Sequence, residues 1–249
     1  MKIIEKMIET EGLTKEFGGR RAVDDLSLVV EEGDIFGFLG PNGTGKTTTI
    51  RLLTGLLAPT AGRAMVAGVD ATRHSRVIKR IVGVLPESQG YYSWMTGQEY
   101  LEYFGSLYRI RRARSRAGEL LAAVGLAERA QTPVGSYSRG MRQRLGIARA
   151  MVHTPRVLFL DEPSLGLDPR GQREINEFIT TLNREEGVTI FLSSHLLSEV
   201  EDLCSRFAIL REGSLVDDGG DVYGAQRLAP SLEEIFFGLT EKEHEEVPN

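Results

Sequence analysis

Gly40-Pro41-Asn42-Gly43-Thr44-Gly45-Lys46-Thr47-Thr48 is the stretch whose reading decides the fold. It fits the phosphate-binding pattern G-x-x-x-x-G-K-[ST] from Gly40 to Thr47. Asp34-Ile35-Phe36-Gly37-Phe38-Leu39, just before it, is a short apolar run that reads as a buried strand. Thr49 to Leu57, just after it, reads as a helix with Ile50, Leu53 and Leu57 on one face. In a strand–loop–helix unit the glycines let the backbone curl, so that successive N–H groups point at a polyphosphate. The helix N-terminus adds positive potential at the same spot. Lys46 would then reach the β- and γ-phosphates, and the Thr47 hydroxyl would sit on Mg²⁺. The bare pattern also occurs in ordinary Gly-rich turns, so the flanking elements carry the argument.

Outward from that loop, five apolar runs read as buried parallel strands: Ile35–Leu39, Ile81–Leu85, Val157–Leu160, Val188–Leu192 and Phe207–Leu210. They are continuous rather than alternating, as expected when helices cover both faces of a sheet. Residues 8–30 alternate more and suggest antiparallel strands beside this core. Residues 88–150 contain no clear strand and read as an inserted helical subdomain. Within it, 97–108 carries Tyr100, Leu101, Tyr103, Phe104 and Leu107 at helical spacing. The segment 114–124 carries Ala117, Leu120, Leu121 and Val124, and stops at Gly125. The expected class is therefore α/β: a phosphate-loop NTPase core with a mostly parallel sheet, an N-terminal antiparallel β subdomain and an inserted α-helical subdomain. One ATPase-sized unit spans 1–240, with a C-terminal extension over 215–240. The acidic tail 241–249 lacks core-forming residues and is expected to be disordered.

Composition narrows the function. The chain has 249 residues, 41% hydrophobic and 26% charged, ordinary for a soluble globular protein. A net charge of −5 supplies no broad basic field, so no nucleic-acid partner is expected. The single cysteine, Cys204, excludes an internal disulfide and suits a reducing compartment. No apolar run approaches the roughly 18–20 residues that span a bilayer. Met1 to Lys6 lacks the apolar core of a signal peptide. The expectation is a cytosolic protein whose membrane role, if any, needs another chain.

Two further motifs carry chemistry. Val157-Leu158-Phe159-Leu160-Asp161-Glu162 is an apolar strand ending in two carboxylates. An Asp at the carboxyl end of a strand beside a phosphate loop is placed to hold Mg²⁺, and the adjacent Glu162 could polarise an attacking water. Ser138-Arg139-Gly140-Met141-Arg142-Gln143-Arg144 opens a helix that Ser138 caps and Pro155 stops, with Met141, Leu145, Ala148 and Val152 as its apolar face. Alone, that segment reads as a capped helix with a solvated Arg face.

In order and spacing, the chain resembles the ATP-binding subunit of an ABC transporter over about residues 8–215. Ser138-Arg139-Gly140-Met141 resembles the family signature, Asp161-Glu162 its Walker B pair, Ser164 to Asp168 the loop that follows, and His195 the switch histidine. Phe17 matches the aromatic that stacks on adenine. The resemblance implies a head-to-tail dimer, of identical or different ABC ATPase subunits, that sandwiches two ATP molecules. Each site would use Gly40, Pro41, Asn42, Gly43, Thr44, Gly45, Lys46, Thr47 and Thr48 of one subunit, and Ser138 and Gly140 of the other. It further implies Mg²⁺ on Thr47 and Asp161, Glu162 as the group that activates water, His195 on the γ-phosphate, and Asp168 linking the two sites. Glu87 stands where the family usually has Gln, beside Mg²⁺, and Arg139 and Met141 depart from the usual Gly and Gln. Leu85-Pro86-Glu87 with Tyr137 to Arg144 looks more like the subunits of two-component exporters than like importers.

The implied partner is an integral-membrane permease, with this chain peripheral on the cytoplasmic side of the membrane, exporting a drug, lipid, ion or antibiotic. Gly90 to Thr96, rich in aromatics, reads as lining a groove for a permease helix, with packing inside the helical insert as the even alternative. Arg109, Arg111, Arg112, Arg114 and Arg116 read as a solvated face in preference to a lipid-facing one. Two other classes compete with a transport ATPase. A soluble ABC-type ATPase acting on ribosomes or nucleic acid would usually carry a second ATPase unit or a coiled-coil insertion. An unrelated GTPase or small-molecule kinase would leave Ser138 and His195 without a purpose.

Overall fold

The computed structural model describes residues 5–217. The expected tail at 241–249 and the extension from 218 onward lie outside the described residues. The elements in chain order are β1 (Lys6–Phe17), β2 (Arg20–Glu31), β3 (Ile35–Leu39), α1 (Lys46–Leu53), β4 (Ala61–Val66), β5 (Val69–Asp70), α2 (Ser75–Ile81) and β6 (Val82–Leu85). There follow α3 (Gly97–Leu107), α4 (Ala113–Ala123), α5 (Arg139–Ala150), β7 (Val157–Asp161), α6 (Pro169–Glu186), β8 (Thr189–Ser194), α7 (Leu197–Leu203), β9 (Arg206–Arg211) and β10 (Ser214–Asp217).

Two sheets form. One is antiparallel, in the order β2-β1-β4-β5; the other runs β10-β9-β3-β8-β7-β6. In the second sheet β9, β3, β8, β7 and β6 are parallel, and only β10 is antiparallel to its neighbour. Its inner strands are apolar at every position because both faces are covered. Ile35, Leu39, Leu158, Leu160, Ile190 and Leu192 face a core shared with the helices from α3 to α7. Phe36, Phe38, Val157, Phe159 and Phe191, one residue out of phase, face a second core shared with the antiparallel sheet, α1 and α2. Phe191 anchors that second core, with ring centroids 5.6 Å from Phe36, 5.3 Å from Phe38 and 5.6 Å from Phe159. Gly37 permits the close approach of α7: a Cβ there would lie 2.8 Å from both Cys204 Sγ and Val200 Cγ1.

The class read from the sequence is the one found, with local differences. The helix after the phosphate loop ends at Leu53 rather than running to Leu57, because Gly55 turns the chain at φ 64. Leu57 still packs on the same core from the loop beyond. Ile81 closes α2, and the strand begins at Val82. Strands β4 and β5 were not foreseen. Between β6 and β7 the chain forms α3, α4 and α5 and no strand. A reciprocal cap opens α3: Thr96 Oγ1 accepts from Glu99 N at 3.1 Å, and Glu99 Oε2 accepts from Thr96 N at 2.9 Å. Tyr100 and Leu101 are buried from α3, but Tyr103 and Leu107, expected on the same face, are exposed.

The topology sets the site. β3, β8 and β7 are parallel neighbours, so their carboxyl ends lie side by side. Gly40, His195 and Glu162 directly follow those ends, or lie one residue beyond, and ligands bind at that edge in open α/β sheets.

His153, beyond the end of α5, stacks on Tyr108 at 4.0 Å, and its Nε2 is 3.0 Å from the Val82 carbonyl. A carbonyl only accepts, so Nε2 carries the hydrogen and the buried Nδ1 is left without a partner. Burial pulls the pKa of His153 below the ordinary 6.5, with the Val82 hydrogen bond opposing. The folded state therefore takes up this proton only at lower pH than the unfolded chain does. The associated stability is present above 6.5 and is lost as pH falls through the folded value. The melting temperature should drop less steeply from pH 7 to pH 5 in His153→Gln, which keeps a donor for Val82 but cannot titrate. Equal slopes would show that His153 is not the responsible group.

Candidate active site

The loop after β3 is shaped for an anion. Gly45 caps α1 with φ 110, and a Cβ there would strike the Ala22 carbonyl. No side chain caps this end of α1, so its first N–H groups are open to a ligand. Thr44 holds the loop, its hydroxyl donating to Pro41 O at 2.9 Å and its backbone carbonyl accepting from Gly213 N at 3.0 Å. Beside the loop is a cleft of about 370 Å³ lined by Ala22, Asn42, Gly43, Gly45, Lys46, Thr47, Thr48, Glu87 and Glu162.

Lys46 is 6% exposed, and its ammonium donates to Gly40 O at 2.5 Å and Pro41 O at 3.1 Å. It also lies 3.2 Å from Glu162 Oε1. Glu162 is 7% exposed and adopts φ 53, a left-handed conformation that costs a non-Gly residue about 1 kcal/mol or more. Its backbone N donates to Ser193 O at 3.1 Å, which holds that turn against the end of β8. Oε2 of Glu162 is 2.7 Å from His195 Nδ1, and a carboxylate only accepts, so Nδ1 carries the hydrogen. Oε1 is buried with no aligned hydrogen bond, only the charge of Lys46 beside it. Asp161, also buried, accepts from Ser193 Oγ at 2.6 Å. One carboxylate thus sits between an ammonium and an imidazole at the edge of a cleft of polyphosphate size.

The remaining sequence candidates fall in three places. Glu87 is exposed on the cleft wall. Ser138 caps α5, accepting from Met141 N at 3.2 Å, and does not line the cleft. Gly140 lies instead against Leu167, and the Arg139 guanidinium covers Gly166. Asp168 caps α6, accepting from Gly171 N at 2.9 Å. Ser138, Gly140 and Asp168 therefore form a second surface around residues 165–168. Phe17 ends β1 half exposed, with the Lys15 ammonium 5.1 Å from its ring centroid, and does not line the cleft. In the 90–96 segment Tyr91 and Met95 pack on the helical core, while Trp94 is 71% exposed and stands 5.2 Å from Tyr92. Sequence reasoning missed Ala22 on the cleft wall, Ser193 under the two carboxylates, and the Arg139–Gly166 contact. Ser193 could have been found, since it immediately precedes the Ser-His pair.

A strand–loop–helix phosphate cradle with a buried Lys–Glu pair and an adjoining His at the carboxyl edge of a parallel sheet defines a nucleotide-hydrolysing α/β protein. The family model described as "ABC transporter" matches residues 23–165. The chain is 42% identical over 235 residues to the uncharacterized ABC transporter ATP-binding protein YhcH of Bacillus subtilis, covering 90% of this chain and 76% of YhcH. It is 43% identical over 212 residues to the bacitracin transport ATP-binding protein BcrA of Bacillus licheniformis, covering 85% of this chain and 69% of BcrA. A solved structure of an ATP-binding subunit of an ABC transporter superposes with a TM-score of 0.81 at 28% identity, covering 94% of this chain and 99% of that one. The chain belongs to the ABC transporter family, as an ATP-binding ATPase. Among the described residues no helix is long and apolar enough to cross a membrane.

Proposed function

We propose that this chain is the ATP-hydrolysing subunit of a two-component exporter. It works as a head-to-tail dimer, with a copy of itself or another ABC ATPase subunit, on the cytoplasmic side of a separate membrane permease. The observation that carries the chemistry is the Glu162 carboxylate, buried between Lys46 and His195. Without nucleotide, Lys46 has Glu162 as its counter-charge. A γ-phosphate arriving on the loop amides competes for that ammonium and frees Glu162 to face a water. Glu162 orients the water and takes its proton as the oxygen attacks the γ-phosphorus in line. The bond to the β-phosphate oxygen breaks, and Lys46 and the loop N–H groups offset the charge that develops on ADP. His195 holds the Glu162 carboxylate and contacts the γ-phosphate.

Mg²⁺ would reduce the charge of the phosphates, held by Thr47 and Asp161 with Glu87 nearby. Among the described residues no group of three or more His, Cys, Asp or Glu could hold a metal. That suits a cation that brings phosphate and water ligands of its own. Ser138, Gly140 and Asp168 sit away from the cleft of their own chain, which supports their use across the dimer. The similarity to BcrA, a bacitracin transport ATP-binding protein, supports transport and an antibiotic or other drug as cargo. The exposed Trp94 and Tyr92 within the helical insert support a permease contact there. Residues 1–240 are read as a single ATPase domain with that insert at 88–150. No observation favours action on ribosomes or nucleic acid.

Glu162→Gln removes the base and keeps the shape. Its ATP turnover should fall about a hundredfold or more, with ATP affinity retained; retained turnover would remove Glu162 as the main catalyst. The tagged chain should co-purify with a multi-span protein from detergent-solubilised native membranes, and clean recovery from cytosol with ribosomes or nucleic acid would contradict the permease reading.

A further inference from the structure

We infer that Glu199 is a positioning residue that ties the turn carrying His195 to the Ser164–Asp168 loop. Glu199 lies in α7, four residues beyond His195. It is only 4% exposed, in a short helix whose Val200 and Leu203 point into the core. A buried carboxyl in such a place needs a reason, since burial without compensation is costly.

The hydrogen bonds supply one. Glu199 Oε2 accepts from Ser194 Oγ at 2.5 Å. The same hydroxyl accepts from Leu196 N at 3.0 Å. Ser194 and Leu196 bracket His195, so the orientation of one hydroxyl sets the turn that presents the imidazole to Glu162. Glu199 fixes that orientation.

The carboxyl also lies near the Ser164 side chain, and its buried Oε1 has no hydrogen-bond partner. Ser164 is itself buried, and its carbonyl accepts from Leu167 N at 3.1 Å, closing the turn just before Asp168. One side chain is therefore bonded to the turn that carries His195 and lies near the loop that leads to Asp168. Burial moves the Glu199 carboxyl toward its neutral form, and nearby Glu162 adds to this, while Ser194, Ser164 and His195 oppose. A side-chain amide keeps an acceptor for Ser194 and adds a donor that the Ser164 hydroxyl can accept.

The inference rests on the ATPase reading, and the test separates the two. Steady-state ATP hydrolysis and ATP affinity are measured on the full-length wild type, Glu162→Gln, Glu199→Leu and Glu199→Gln. Glu199→Leu should lose about tenfold or more in kcat, with KM and ATP affinity within about twofold. Glu199→Gln should recover most of that loss, because it keeps the acceptor for Ser194 and offers Ser164 a donor; a residue that merely filled space would not distinguish the two. Wild-type kcat in Glu199→Leu, a Gln variant as slow as Leu, or ATP affinity falling in step with kcat would each overturn the inference and leave the ATPase reading standing. If Glu199→Leu does not fold, Ser164→Ala reads the same link. A severalfold lower kcat at unchanged ATP affinity supports it, and wild-type kcat overturns it. A wild type that hydrolyses no ATP removes the ATPase reading and the inference with it.

Discussion

The buried ion pair between Lys46 and Glu162 is the constraint around which the site is organised. Two opposite charges, 6% and 7% exposed, face each other at 3.2 Å. Removing one partner of such a pair costs about 3–5 kcal/mol, because the other is left charged and out of water. The fold bears the cost of placing them there. Lys46 sits at the first turn of α1, held by two loop carbonyls. Glu162 is kept in a left-handed conformation by its bond to Ser193 at the end of β8. Three neighbouring parallel strands must end together for this array to exist, and the two-sided core of the second sheet secures their register.

That arrangement suits a site that works only when filled. On the proposed mechanism, a phosphate that takes Lys46 away from Glu162 would change the partner of a buried carboxylate, and so free the proposed base only when substrate is present. The second surface, built from Ser138, Gly140 and Asp168, lies on other elements and is organised by local caps. Arg139 over Gly166 joins the α5 start to the 164–168 loop, and Glu199 joins that loop to the His195 turn. The site and the second surface are therefore mechanically continuous within one chain.

Much of this was legible in the sequence, for physical reasons. Strands buried on both faces must be apolar throughout, so β3, β7, β8 and β9 stood out, as did the loop glycines and the Asp161-Glu162 strand end. Strand order was not legible, because periodicity reports a face and not a neighbour. β4 was missed because Ala61-Gly62-Arg63 is exposed and carries no apolar run. The end of α1 was misplaced because Leu56 and Leu57 continue its apolar pattern while Gly55 breaks the backbone. Tyr103 and Leu107 keep helical spacing yet point outward, since spacing alone cannot say which face finds a partner. Glu199 was overlooked because a glutamate in a short polar helix reads as solvated, and its burial depends on packing between distant segments.

The central claim is that nucleotide phosphate displaces Glu162 from Lys46. A crystal structure of the full chain with Mg²⁺ and a non-hydrolysable ATP analogue tests it most directly. The account predicts that Lys46 Nζ bonds the β- and γ-phosphates, that the Lys46–Glu162 separation opens beyond the ion-pair range of about 4 Å, and that Glu162 turns toward a water in line with the γ-phosphorus. An analogue bound with Lys46 still paired to Glu162 would contradict it.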